Sequence, residues 1–246
     1  MKLTSPLAAL SAALLLIGTA SAQIPDIART DANQIPNQQQ LHGNGPRISW
    51  TSLTAAPTIR SRPGGAWIGA NFFLVGGETT GGARVATVDI YNNTTGLWSS
   101  SAAAMPTPVS NIFGSTCSIG SKIYVFGGYS ALAAGTNQVQ IYDTIADTWS
   151  VHATPLTVPI WGALAMHGSG NDVIVTGGYD GLASVTTTYT FNVLSGLITP
   201  KAPAPTPRYL LSGAYNNSNG TVYVVAGYGS GTVMTSFHPV SNTWTT

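Results

Sequence analysis

Residues 123–149 read IYVFGGYSALAAGTNQVQIYDTIADTW, and this stretch decides the fold. It opens on a short β-branched and aromatic run, Ile123 to Phe126, that stops at the glycine pair Gly127 and Gly128. A second run, Gln138 to Tyr142, leads through a polar turn to Trp149. Short runs of this composition, bounded by Gly, Pro, Asn or Asp, are strand signals, and no segment of the chain shows an amphipathic 3.6-residue period. The pattern recurs. Glycine pairs or their equivalents close FFLVGG (Gly76, Gly77), VIVTGG (Gly177, Gly178) and YVVAG (Ala226, Gly227), at spacings of 51, 50 and 49 residues. In phase with them, IYNNTTGLW ends at Trp98 and FHPVSNTW at Trp244, while the third copy, TFNVLSGLI, keeps Phe191 and puts Ile198 where Trp is expected. A Pro-containing segment separates each Trp position from the next glycine pair.

Each unit reads as four strands. In the second unit they fall near Ile112–Cys117, at Lys122–Phe126, at Gln138–Tyr142 and from Trp149 onward. A four-stranded unit repeating near fifty residues is expected of a β-propeller blade. The glycine pair, the aromatic before the polar turn and the Trp resemble the kelch repeat, and GGYDG at 177–181 is close to that family's consensus. The resemblance covers about 47–246, with units near 58–105, 106–155, 156–203 and 204–246, and it implies an all-β, kelch-type propeller of four recognisable blades. It also implies that Gly76, Gly77, Gly127, Gly128, Gly177, Gly178 and Gly227 close the inner strand pair, and that Trp50, Trp98, Trp149 and Trp244 pack between blades. Trp50 gives 47–57 the look of an extra fourth strand, a position that Trp244 also claims. That strand either completes the last blade across a ring closure or belongs to an incomplete set of blades, and the second reading is preferred.

Outside the repeats, the N-terminus carries Lys2, an apolar stretch from Leu7 to Ile17 and then Ala20-Ser21-Ala22, the order of a secretory signal peptide cleaved after Ala22. Residues 23–46 are rich in Gln, Asn and Pro with no sustained apolar period, and read as a flexible linker. The expectation is a secreted or periplasmic protein with no membrane span once the leader is removed. A single cysteine, Cys117, excludes an intrachain disulfide, so packing must stabilise the chain. Only 7% of residues are charged, with 9 Lys and Arg against 8 Asp and Glu, where soluble domains average about 25%. No basic field exists to hold nucleic acid or an anionic bilayer.

Catalytic constellations are sparse. His42, His152, His167 and His238 lie in different parts of the chain at no ligand spacing, so no metal or other cofactor is expected. Galactose oxidase also contains kelch repeats, with a copper site and a Tyr linked to Cys, but Cys117 on a first strand reads as a small buried hydrophobe. The richer candidate is the loop between second and third strands. There Tyr129, Tyr179 and Tyr228 follow the glycines of units two to four, and Glu78 takes that place in unit one. Tyrosines related by pseudo-rotation would form an aromatic rim suited to a protein or glycan ligand, and kelch substrate adaptors use such GGY tyrosines for peptide contact. Asp180 belongs to the same binding set. Arg62 and Arg208, before the first strands of units one and four, are placed to accept an acidic ligand group as the adaptors' arginines do, with Ser110 and Ile160 in about that place elsewhere.

Two functions stand. The leading one is an exported recognition module that binds through its loops without catalysis. The alternative is a secreted carbohydrate-active enzyme: the loop ETTGGAR resembles that of the kelch enzyme interconverting sialic acid anomers, with Glu78 as the acid/base and Arg84 as the holder of the sugar acid. An oxidase of the galactose oxidase sort is a weaker form of it.

Overall fold

A computed structural model describes residues 51–101, 103–131, 135–229 and 233–246. The leader, the 23–46 segment, His42 and Trp50 lie outside the described residues. Blade 1 comprises β1 (Gly64–Ile68), β2 (Asn71–Val75), β3 (Val88–Asn92) and β4 (Leu97–Ser100), an antiparallel meander. Blade 2 contains β5 (Val109–Ser110), β6 (Thr116–Ile119), β7 (Lys122–Phe126), β8 (Tyr129–Ser130), β9 (Val139–Asp143) and β10 (Thr148–Val151). Its blade sheet runs β6-β7-β9-β10, while β5 and β8 pair separately as a two-residue ladder. Blade 3 is β11 (Leu164–His167), β12 (Asp172–Thr176), β13 (Thr188–Asn192) and β14 (Ile198–Pro200); blade 4 is β15 (Ser212–Asn216), β16 (Thr221–Val225), β17 (Thr235–His238) and β18 (Thr243–Thr245). The last strand of blade 4 is thus formed, with Trp244 paired to Phe237.

The first strands lie side by side in blade order, β1 next to β6, β6 next to β11 and β11 next to β15. Strand alternation then gives each blade two apolar faces. Phe73, Val75 and Val88 of blade 1 meet Ile123, Val125 and Tyr142 of blade 2. The opposite face of blade 2, with Tyr124 and Phe126, meets Val173, Val175 and Phe191 of blade 3. Leu164, Met166 and Ile174 meet Val222, Val224 and Phe237 of blade 4. Each fully buried side chain of this kind contributes about 1.5–3 kcal/mol, and none of these faces could be buried by its own blade alone. Cys117 sits in the cluster between blades 2 and 3, where burial pushes its thiol up to about 12, so it is an inert apolar group.

Trp149 stacks on Tyr142 at 5.1 Å between blades 1 and 2, and Trp244 on Phe237 at 5.0 Å between blades 3 and 4. Trp244 also donates its indole N–H to Ala202 O (2.8 Å), and Trp98 makes the matching bond to Thr54 O (2.8 Å). Trp98 therefore treats the segment before blade 1 as an inter-blade link. On that face no blade among the described residues covers Trp67, Phe72, Tyr91 and Trp98, which with Leu53, Thr54 and Asn93 line an open pocket of about 320 Å³. The uncovered face suits an incomplete set of blades.

One strand differs from the reading above. The first strand of blade 2 begins at Thr116, not Ile112. Asn111 adopts φ 58°, and Ser115 N and Thr116 Oγ1 both bond to Ile112 O, so residues 111–115 form a tight turn that drives Ile112 into the core. The apolar residue marks the turn's anchor, not the strand.

Candidate functional site: an aromatic row over the blade loops

The glycines beyond each second strand place the site. Gly76, Gly127, Gly177 and Ala226 all have φ between 55° and 67°, and the following glycines lie between 93° and 114°. This reversal carries the chain out of the blade sheet and sets the next residue opposite the segment that enters the same blade's first strand. The pairs formed are Ser61 with Glu78, Ser110 with Tyr129, Trp161 with Tyr179, and Tyr209 with Tyr228. Eight residues are therefore related by the repeat, and five of them are aromatic.

Those five touch in series. Ring centroids are 5.9 Å apart for Tyr129–Trp161, 5.1 Å for Trp161–Tyr179, 5.0 Å for Trp161–Tyr209, and 5.1 Å for both Tyr179–Tyr209 and Tyr209–Tyr228. Edge and tilted contacts at these distances are the favourable aromatic geometries. Trp161 is the hub, touching three tyrosines, and its buried indole N–H has no hydrogen-bond partner among the described residues. Tyr228 ends the row at 65% exposure, whereas Tyr209 is buried. Tyr179 is pinned through its hydroxyl to Leu182 O (3.0 Å). The loop it reaches is itself fixed by Asp180, whose Oδ1 accepts from Ala183 N (2.7 Å) and Leu182 N (2.8 Å), bonds that hold this carboxyl below its ordinary value. Asp180 thus supports the row by shaping its loop.

At the blade 1 end the row turns ionic. The Arg84 guanidinium lies over the Tyr129 ring at 4.6 Å and donates Nε–H to Tyr129 O. Glu78 Oε2 receives Arg84 Nη1 at 2.8 Å and Ser110 Oγ at 2.9 Å, while Oε1 receives Arg62 Nη1 at 2.9 Å. Arg62 is the partly exposed member; Glu78 and Arg84 are mostly covered. Both Glu78 oxygens are engaged, Oε1 by one guanidinium and Oε2 by another together with Ser110.

The structure brings Tyr129, Tyr179, Tyr228, Glu78, Arg84 and Arg62 to one face, and separates Arg208 from Arg62. Arg208 is the repeat counterpart of Arg60: Gly178 N bonds to Arg208 O as Gly128 N bonds to Ile160 O and Gly77 N to Val109 O. The residues that hold the row together, Trp161 and Tyr209, escaped the sequence reading. Their signal was present immediately before the left-handed residues Gly162 and Leu210, as aromatics directly following Ile160 and Arg208. No group of three His, Cys, Asp or Glu side chains able to hold a metal occurs among the described residues, and no helix there is long and apolar enough to cross a membrane.

Residues 113–154 match the Kelch motif family. No curated protein matches the chain. Among solved structures, the one titled "Structure of YjhT" superposes with a TM-score of 0.62 at 15% identity, over 77% of this chain and 70% of that one. With four in-phase blades, a matched motif in the second and this shared architecture, the chain is a kelch-repeat β-propeller.

Proposed function

We propose that this protein is an exported recognition module that holds a glycan or peptide chain along its aromatic row and performs no catalysis. The observation that carries the reading is the unbroken ring contact from Tyr129 to Tyr228. Tyr and Trp present large rigid faces at little entropic cost and keep a polar edge for hydrogen bonds. Between Trp161 and Tyr228 the paired positions carry no charge, which suits a neutral, hydroxyl-rich or backbone-rich ligand. The leader sequence supports export. The ionic cluster at Glu78 supports a structural clasp on the Tyr129 end, since both carboxylate oxygens are occupied.

Immobilised glycan and peptide arrays probed with the purified chain test this. The wild type is expected to retain a defined subset, and Tyr228→Ala, which removes an exposed ring at the row's end, is expected to weaken those signals about tenfold. Retention unchanged by the substitution would contradict a row that includes Tyr228.

A further inference from the structure

Blades 1 and 4 each bury an arginine at the same repeat position, but only one of the two has a carboxylate. In blade 1 the Arg60 guanidinium donates through Nη1 to Gly76 O and Thr87 O (both 3.0 Å), and through Nη2 to Thr87 Oγ1 (3.2 Å) and the Asp89 carboxylate. Asp89 accepts Ser100 Oγ on its other oxygen (2.8 Å). In blade 4 the Arg208 guanidinium makes the same backbone bond, Nη1 to Val233 O at 3.2 Å. Val233 and Thr235 occupy the repeat positions of Thr87 and Asp89, since Thr235 pairs with Val224 on β16 as Asp89 pairs with Leu74 on β2. Blade 4 therefore has the guanidinium in the same pose without the hydroxyl or the carboxylate that receive it in blade 1.

The consequence is visible in the unpartnered atoms. Arg208 and Thr235 are each 2% exposed. Arg208 Nη2 and Thr235 Oγ1 have no hydrogen-bond partner among the described residues, whereas Arg60 Nη2 has Thr87 and Asp89; Nε is unpartnered in both arginines. A buried cation without a partner is costly, and a planar guanidinium fork matches a carboxylate in size and geometry.

We propose that blade 4 binds a small carboxylate at Arg208, held by Nη2 as Asp89 is held by Arg60 Nη2 in blade 1, and by the hydroxyl of Thr235, which stands at the Asp89 position. The site takes either a free monocarboxylate or the carboxylate of a larger ligand reaching past Tyr209 and Tyr228. Burial lowers the Arg208 pKa from its ordinary value, and arginine stays charged in proteins.

Formate, the smallest carboxylate, is the probe. The thermal melt of the full chain is followed as sodium formate replaces sodium chloride at constant ionic strength, for the wild type, Arg208→Met and Thr235→Asp. The wild-type midpoint is expected to rise by about 2–4 °C at saturation. Arg208→Met removes the charge at similar volume and is expected to show no formate increment. Thr235→Asp restores the blade 1 arrangement, so it is expected to melt above the wild type without formate and to gain nothing from it. A wild-type response no larger than that of Thr235→Asp overturns the proposal, and so does a formate increment that survives in Arg208→Met. If Arg208→Met fails to fold, Thr235→Asp decides alone. A formate site that also competes with an array-retained ligand assigns the carboxylate to that larger ligand; formate binding without competition assigns a free monocarboxylate.

Discussion

Asp89→Ala is expected to lower the free energy of unfolding by about 3–5 kcal/mol, measured by urea titration, with a fall in melting midpoint of about 10 °C. The Arg60 and Asp89 side chains are 1% and 0% exposed. Removing the carboxylate leaves the guanidinium buried with only carbonyl and hydroxyl acceptors. Desolvation already lowers the Arg60 pKa despite the favourable charge of Asp89, so loss of that charge falls on a group with no spare solvation. The cost lies in breaking the pair, not in lacking it. The double variant Arg60→Leu with Asp89→Leu is therefore expected to recover most of the loss. A single-variant cost below about 1 kcal/mol would mean that the pair is solvated in solution.

Gly127→Ala is expected to cost at least about 3 kcal/mol, combining the left-handed penalty of an L-residue with a backbone clash. Gly127 has φ 67°, and a Cβ there would lie 2.2 Å from Ile160 O, the carbonyl that receives Gly128 N. That carbonyl cannot retreat without moving Trp161, so the aromatic row should loosen along with the fold. Gly120 provides the comparison. Its φ is 59°, but nothing lies within 4 Å of its Cβ direction, so Gly120→Ala is expected to cost only about 1–2 kcal/mol. Equal costs at the two sites, measured by urea titration, would show that the close approach of the Ile160 segment has been misjudged.

The four blades could be read from the chain because their signals are local. A glycine pair needed for left-handed backbone, an aromatic on the third strand and a Trp opposite it all fall within one blade, at a nearly constant period. Relations between blades were harder to read. Arg62 and Arg208 both stand just before a first strand, but Arg208 lies 18 residues before Ala226 and Arg60 lies 16 before Gly76. The difference is the two extra residues in the turn joining β15 and β16, 217–220, against 69–70 between β1 and β2, so the true partners are Arg60 and Arg208. The same limit hid the roles of Trp161 and Tyr209. A tyrosine after a glycine pair is visible as a repeat feature, whereas the residue facing it across an isolated bridge becomes apparent only when the chain closes back on itself. Glu78 and Arg84 were legible as neighbours in one loop, but Ser110 and Arg62, which also bond to Glu78, come from outside that loop.

The most direct test of the account sets its two exposed aromatic surfaces against each other. Trp161 is the hub of the row, and Trp67, 54% exposed, lies on the uncovered face of blade 1. For a ligand retained on the arrays, affinities of Trp161→Ala and Trp67→Ala are to be measured by isothermal titration beside the wild type, with melts to confirm folding. A row that binds the ligand predicts a loss of about thirtyfold or more for Trp161→Ala and less than about twofold for Trp67→Ala. The reverse order would place recognition on the outer face of blade 1 and contradict the aromatic row as the binding surface.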